Sequence, residues 1–119
     1  SENVAKKFGV SRQEQDQFAL NSHLKAAKAQ AEGLFKDEIV PVTTGDGKIV
    51  DQDDGIRGNA TLEVLNKLKP AFSEDGTTTP GNASQVSDGA AAVLLMKRGK
   101  AAELGLPVMG RMLGYAVAG

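Results

Sequence analysis

The sequence predicts an α/β fold, and three observations predict it. A helix opens with a hydroxyl–carboxylate cap at Ser11 and Glu14. A turn-centred ribbon around Thr44–Lys48 interrupts the helical material. Two apolar runs towards the end, bounded by turn residues, read as buried strands with a helix between them.

The elements follow in order. Residues 2–8 read as the end of a helix terminated by Gly9. Ser11-Arg12-Gln13-Glu14 is a capping box, with a hydroxyl at the N-cap and a glutamate three residues on. Beyond it Leu20, Leu24, Ala27, Ala31 and Leu34 recur at steps of four and three, the spacing of one helix face, and Gly33 is the expected stop. EIVPV at 38–42 reads as an extended segment that Pro41 confines to a sheet edge, and Lys48-Ile49-Val50 pairs back on it after the turn. ATLEVLNKL at 60–68 reads as a short helix with Leu62, Leu65 and Leu68 on one face, closed by Pro70. Thr77–Thr79 are β-prone and Pro80-Gly81 is a break. AAAVLLM at 90–96 reads as a strand buried on both faces, Lys100–Leu104 as a helix ended by Gly105, and Pro107–Val117 as a further strand.

Bulk properties bound the function. At 119 residues the chain is at most one domain or a piece of one, and a strand that stops at Gly119 without turn or cap is expected of a segment of something longer. Aromatic residues make up only 4%, so the core must rest on Ala, Val and Leu. Fourteen basic and fifteen acidic residues leave a net charge of −1, which gives no electrostatic case for nucleic acid or an anionic membrane. No window has the apolar length of a membrane span, and SENVAKKF lacks the apolar centre of a secretory signal. Without cysteine there are no disulfides, thiolate metal sites or thiol nucleophiles. Asn59-Ala60-Thr61 and Asn82-Ala83-Ser84 fit the glycosylation sequon, but nothing else points to secretion, so both read as chance matches.

Few constellations carry chemistry. Asp51-Gln52-Asp53-Asp54-Gly55 has the look of a calcium loop, but its fifth position is glycine and its sixth isoleucine, so it reads as a solvated acidic turn and no metal site is expected. His23 lacks a partnering acid, thiol or serine pattern and reads as a helix residue. Arg57 either pairs with Asp53 or Asp54 or serves as an anion clamp, since a guanidinium suits phosphate. In GNASQVSDGAAAVLL, residues 81–95, the glycine at 81 frees the backbone, and Asn82, Ser84 and Ser87 have side chains able to bond a tight turn. Those polar groups either satisfy backbone groups where the chain enters the core or hold a polar ligand in a crevice.

A resemblance covers the chain from end to end. ENVAKKFGVSRQEQDQFALNSHLKAAKAQAEGLFKDEIVPV, with EQD, FA, S, KA, AQ, G-x-F and EIVP at these intervals, resembles a segment of the thiolase family. DGIRGNATLEVLNKLKPAF, GTTTPGNASQVSDGAAAVLL and LGLPVMGRMLGYAVAG are similar to the family's following blocks in the same order, and GNASQVSDG is most like its peroxisomal and fungal 3-ketoacyl-CoA branch. The resemblance implies a partial thiolase-like α/β fold. Residues 1–75 would be the helical, ribbon-bearing loop domain that covers coenzyme A. Residues 76–119 would be strands of the central sheet in the N-terminal half.

It also implies roles. Arg57 falls on the arginine that meets the nucleotide part of coenzyme A, Val64 and Leu65 on positions where the loop domain touches it, and Phe72 on an aromatic packed beside it. Ser84 falls on the serine that bonds the pantetheine arm; Pro80 stands where alanine is usual, and Val64 is a second departure. No catalytic residue is implied within the chain: the family's nucleophilic cysteine would precede Ser1, and its histidine and second cysteine would follow Gly119, so the chain alone is expected to be inactive. His23 does not match the catalytic histidine.

The expected parent cleaves a 3-ketoacyl-CoA with coenzyme A, giving acetyl-CoA and a shortened acyl-CoA in fatty-acid β-oxidation. It uses no separate cofactor, coenzyme A entering as substrate. It is a homodimer and works in the peroxisome, or else in mitochondria or cytoplasm. The alternatives are a free-standing, non-catalytic coenzyme A-binding or interaction module and a biosynthetic or sterol-carrier-linked relative. In isolation the chain is expected to fold marginally, because a doubly buried strand lacks its neighbours.

Overall fold

Local signals set the first two helices. The computed structural model describes residues 1–118. Helix α1 spans Glu2–Phe8 and ends at Gly9, whose φ of 66° is the left-handed conformation that glycine adopts without a Cβ clash. Helix α2, Arg12–Ala31, begins with the expected capping box: the Ser11 hydroxyl accepts from the Glu14 amide, and a Glu14 carboxylate oxygen accepts from the Ser11 amide at 2.8 Å. The Ser11 amide foremost, and the Ser11 hydroxyl donating to the same oxygen at 2.7 Å, hold the Glu14 carboxyl below its ordinary range. With no glycine or proline inside, the helix runs for 20 residues, and the chain turns away at Gly33, φ 72°.

The ribbon forms as predicted, though shorter. Strand β1, Val42–Thr43, pairs antiparallel with β2, Ile49–Val50, in the register Val42 to Val50 and Thr43 to Ile49. Gly47, φ 82°, makes the turn, and the Lys48 carbonyl accepts from both the Thr44 amide and its hydroxyl. Residues 38–41 stay outside the ladder, because Glu38 and Ile39 still donate back to Phe35 in the turn that ends the helical region.

Helix α3, Leu62–Asn66, is capped by the Thr61 hydroxyl and lies against α2. Its leucine face behaves as predicted: Leu65 is 4% exposed, while Leu62 and Leu68 are half-buried. The face of α2 that is covered differs from the expected one. Asp16 is fully buried, and Gln15, Ala19, Leu20, His23, Ala27 and Gln30 are half-buried, whereas Leu24 is 45% exposed and Ala31 and Leu34 are exposed. The reason is the partner: α3 and the 77–82 segment present carbonyls and amides, which polar side chains satisfy.

Thr77, Thr78 and Thr79 form no strand. Their amides and hydroxyls bond to α1, α2 and Asn82 instead, and the Thr78 carbonyl accepts from the Ala71 amide at 2.9 Å. Gly81 is required for closeness and not for an unusual backbone angle. A Cβ there would stand 2.5 Å from Leu68 Cδ1 and 2.6 Å from Leu65 Cδ2.

The Glu2 carboxylate receives the Thr77 and Thr78 amides at 2.9 Å each and the Thr77 hydroxyl at 3.0 Å. The two amides, Thr77 foremost, hold its pKa at about 2, against an ordinary value of 4.5. A depressed carboxylate pKa stabilises the fold above pH 4.5, and that contribution disappears as pH falls from 4.5 towards 2. In the complete protein, Glu2→Gln is therefore expected to flatten the loss of thermal stability across this window. An acid-unfolding series on the two proteins measures it.

The chain divides into two compact units, Ser1–Val86 and the residues from Ser87 onward. In the second, helix α4, Arg98–Glu103, closes on Gly105, φ 64°, with the Leu106 amide returning to the Ala101 carbonyl. The runs 90–96 and 107–117, expected as strands, carry no ladder bonds, and Leu94 is 80% exposed. A strand exists only through a partner's hydrogen bonds, and among the described residues β1 and β2 are the sole pair.

Candidate functional site

Helix α2 acts as a beam that carries two loops. Its C-terminal half holds the loop around Arg57. His23 Nδ1 accepts from the Arg57 amide at 3.2 Å, Gln30 Nε2 donates to the Asp53 carbonyl at 3.4 Å, and Ala27 Cβ lies 3.1 Å from where a Cβ on Gly58 would stand. His23 is thus a half-buried helix residue that brackets this loop. The acidic turn is built by its own side chain, since Asp53 Oδ1 accepts from the Gly55 amide at 2.7 Å.

Arg57 pairs with neither Asp53 nor Asp54 through a carboxylate, as one reading of the sequence expected. Its Nη1 donates to the main-chain carbonyls of Asp54 and Ile56. Asp53 Oδ1 accepts from the Gly55 amide, and the guanidinium folds over its own loop. The side chain is exposed, and among the described residues its Nε and Nη2 have no protein partner. Such a guanidinium presents a planar pair of donors to an anion.

The N-terminal half of α2 holds the second loop and the end of α3. Asp16 Oδ2 accepts from Arg12 Nε at 2.7 Å, and Oδ1 from Asn82 Nδ2 at 2.8 Å. Arg12 Nη2 reaches the Leu65 and Leu68 carbonyls at 2.8 and 3.0 Å. Asn82 also donates to the Thr77 carbonyl at 3.0 Å, and its Oδ1 accepts from the Thr79 amide at 2.8 Å. Every buried side-chain nitrogen and oxygen among the described residues has a partner. The polar half of GNASQVSDG therefore serves the fold up to Asn82, while Ser84 stands exposed beyond it.

The two loops meet. The Gln85 side chain lies on the backbone of Gly55, where a Cβ would stand 2.6 Å from Gln85 Nε2. Gln85 follows Ser84, and Gly55 precedes Arg57 by two residues, so the segments carrying the two strongest candidates are adjacent. Phe72 is 72% exposed and Val64 and Pro80 are exposed. Leu65 alone of the six candidates is buried, against Gly81. An open groove elsewhere on α2, lined by Phe18, Ser22, Lys25, Ala29 and Phe35, contains none of the six.

Sequence reasoning missed Arg12, Asp16 and the link from Asn82 to Asp16, though Asn82 does bond its own tight turn as expected. One signal for them existed: an arginine and an aspartate four apart on a helix face one another, and the aspartate lies between residues of a covered face. The link from Asn82 to Asp16 gave none, because the two lie 66 residues apart.

Residues 1–99 match the family described as thiolase, N-terminal domain. The chain is 61% identical to 3-ketoacyl-CoA thiolase B, peroxisomal, of Rattus norvegicus, an alignment covering 100% of the chain and 30% of that relative. It superposes on the dimeric peroxisomal thiolase of Saccharomyces cerevisiae with a TM-score of 0.83 and 58% identity, over 92% of the chain and 28% of that structure. The human mitochondrial 3-ketoacyl-CoA thiolase, solved in complex with CoA, gives a TM-score of 0.66 at 42% identity, over 71% of the chain and 21% of that structure. The chain spans less than a third of the length of each.

Proposed function

We propose, since the chain belongs to the thiolase family, that it is part of a 3-ketoacyl-CoA thiolase and supplies part of the coenzyme A cradle. In that reaction the parent transfers an acyl group from a 3-ketoacyl-CoA to the thiol of a second coenzyme A, and acetyl-CoA leaves. The observation that carries the reading is 61% identity to a peroxisomal 3-ketoacyl-CoA thiolase along the full chain. The names of the similar proteins support a peroxisomal, homodimeric parent. No helix among the described residues is long and apolar enough to cross a membrane.

The chain's part in the chemistry is binding. Arg57, with two guanidinium nitrogens unengaged, offers donors to the phosphates of the nucleotide end. The exposed Ser84 hydroxyl offers a hydrogen bond to an amide of the pantetheine arm, and the exposed Phe72 ring offers it an apolar face. Nucleophile and proton-transfer groups belong to the rest of the parent, since the chain contains no cysteine. On this reading residues 76–119 lead into the core domain. The exposed run 90–96 there would become a sheet strand only by pairing with neighbours elsewhere in the parent.

The test is release of acetyl-CoA by the complete protein incubated with a 3-ketoacyl-CoA and coenzyme A. Thiolytic release is the expected result. Tight coenzyme A binding without any release would favour the non-catalytic binding module, and neither binding nor release would reject both.

A further inference from the structure

We infer that Asp16 is a positioning residue for the coenzyme A-contacting loops: through Asn82 it holds the loop that bears Ser84, and through Arg12 it holds the end of α3 from which the chain runs to Phe72. The inference rests on the proposed coenzyme A-binding role of Ser84 and Phe72.

Asp16 is fully buried in the N-terminal half of α2. A carboxylate there is costly to desolvate, and a well-packed apolar residue of similar volume often serves stability as well or better. What the carboxylate supplies is direction. Its two oxygens go to different segments, Oδ2 to Arg12 Nε at 2.7 Å and Oδ1 to Asn82 Nδ2 at 2.8 Å. Asn82 is then fixed at both polar atoms of its side chain, by Asp16, the Thr77 carbonyl and the Thr79 amide. The Asn82 and Ala83 amides close a turn on the Thr79 carbonyl at 3.2 and 3.0 Å, and Ser84 follows at once.

Arg12 extends the same carboxylate to α3. Its Nη2 binds the Leu65 and Leu68 carbonyls, so the helix end is held by a charge that Asp16 orients. From there the chain passes Pro70, and the Ala71 amide bonds the Thr78 carbonyl before Phe72. Three segments far apart in sequence thus converge on one buried group. Ligand-contacting groups placed about 1 Å out of position lose much of their effect, and this group sets the positions.

The experiment uses the complete enzyme with Asn82→Ala, Asp16→Asn and Ser84→Ala, singly, and Asn82→Ala combined with Ser84→Ala. Asp16→Asn keeps the shape but turns a donor towards Asn82 or Arg12. In Asn82→Ala and in Asp16→Asn, KM for coenzyme A is expected to rise about tenfold with kcat within about twofold of the parent. A purely structural role would instead lower the folded fraction, reducing apparent kcat and leaving KM unchanged. Ser84→Ala is expected to raise KM in the parent background and to add little once Asn82 is alanine. If Ser84→Ala raises KM but both positioning variants leave it unchanged, or if the double variant is additive, this inference is overturned while the binding role survives. If Ser84→Ala leaves KM unchanged, the binding role itself falls. Should Asn82→Ala not fold, Asp16→Asn carries the test, and failure of both to fold would place the cluster in stability alone and overturn the inference.

Discussion

Replacing Asp16 by alanine in the complete protein is expected to destabilise the α2–α3 region by about 3 kcal/mol. The substitution removes a charged hydrogen bond to Arg12 and a second one to Asn82, both inside the fold. Arg12 keeps its two carbonyl partners but loses its counter-charge, and its side chain is 24% exposed, which lets water make good part of the loss. Asn82 keeps three of its four contacts' geometry only if the 77–82 segment stays in place. Amide hydrogen exchange reads the effect locally: exchange across α3 and residues 77–82 should accelerate about a hundredfold. Exchange that is unchanged there would show that the cluster holds nothing.

The second large effect is expected from Leu65→Ala, at about 3 kcal/mol. Leu65 is the sole buried leucine of the described residues, and its end rests on Gly81, so truncation opens a void between α3 and the loop. The same contact predicts a coupling. Gly81→Ala alone drives a methyl group into Leu65 Cδ2 and Leu68 Cδ1, and should destabilise by about 1 kcal/mol because those atoms can turn aside. After Leu65→Ala, one of the two clashes is gone and only Leu68 Cδ1 has to turn aside, so the double substitution should cost less than the sum. Thermal unfolding of the four complete proteins checks both statements, and strict additivity would mean that the two side chains do not share the space.

What was readable in the sequence was whatever depends on neighbours along the chain. The Ser11–Glu14 box, the turn at Thr44–Lys48 and the stops at Gly9 and Gly105 rest on residues within four positions of each other, and each stands as expected. The apolar stripe of α2 misled because the surface it meets is polar. The covered face is decided by carbonyls at 65 and 68 and by Asn82, none of which appears in the periodicity of residues 12–31. Gly81 was expected for its conformational freedom and is needed for its lack of a Cβ, a matter of two leucines in another element. Residues 90–96 have strand composition but not strand hydrogen bonds, since composition does not supply a partner. For the site, the resemblance named Arg57 and Ser84, and the structure brings their loops together through Gln85 and Gly55. The bracket at His23 and the Asp16 cluster arise from contacts 34 and 66 residues apart.

The claim beneath all of this is that the Arg57 and Ser84 loops grip coenzyme A. Titration calorimetry of coenzyme A into the complete protein and into its Arg57→Ala, Ser84→Ala double variant tests it most directly. Loss of a charged and a neutral hydrogen bond to the ligand predicts a Kd at least about tenfold higher in the variant. Equal dissociation constants for the two proteins would contradict it.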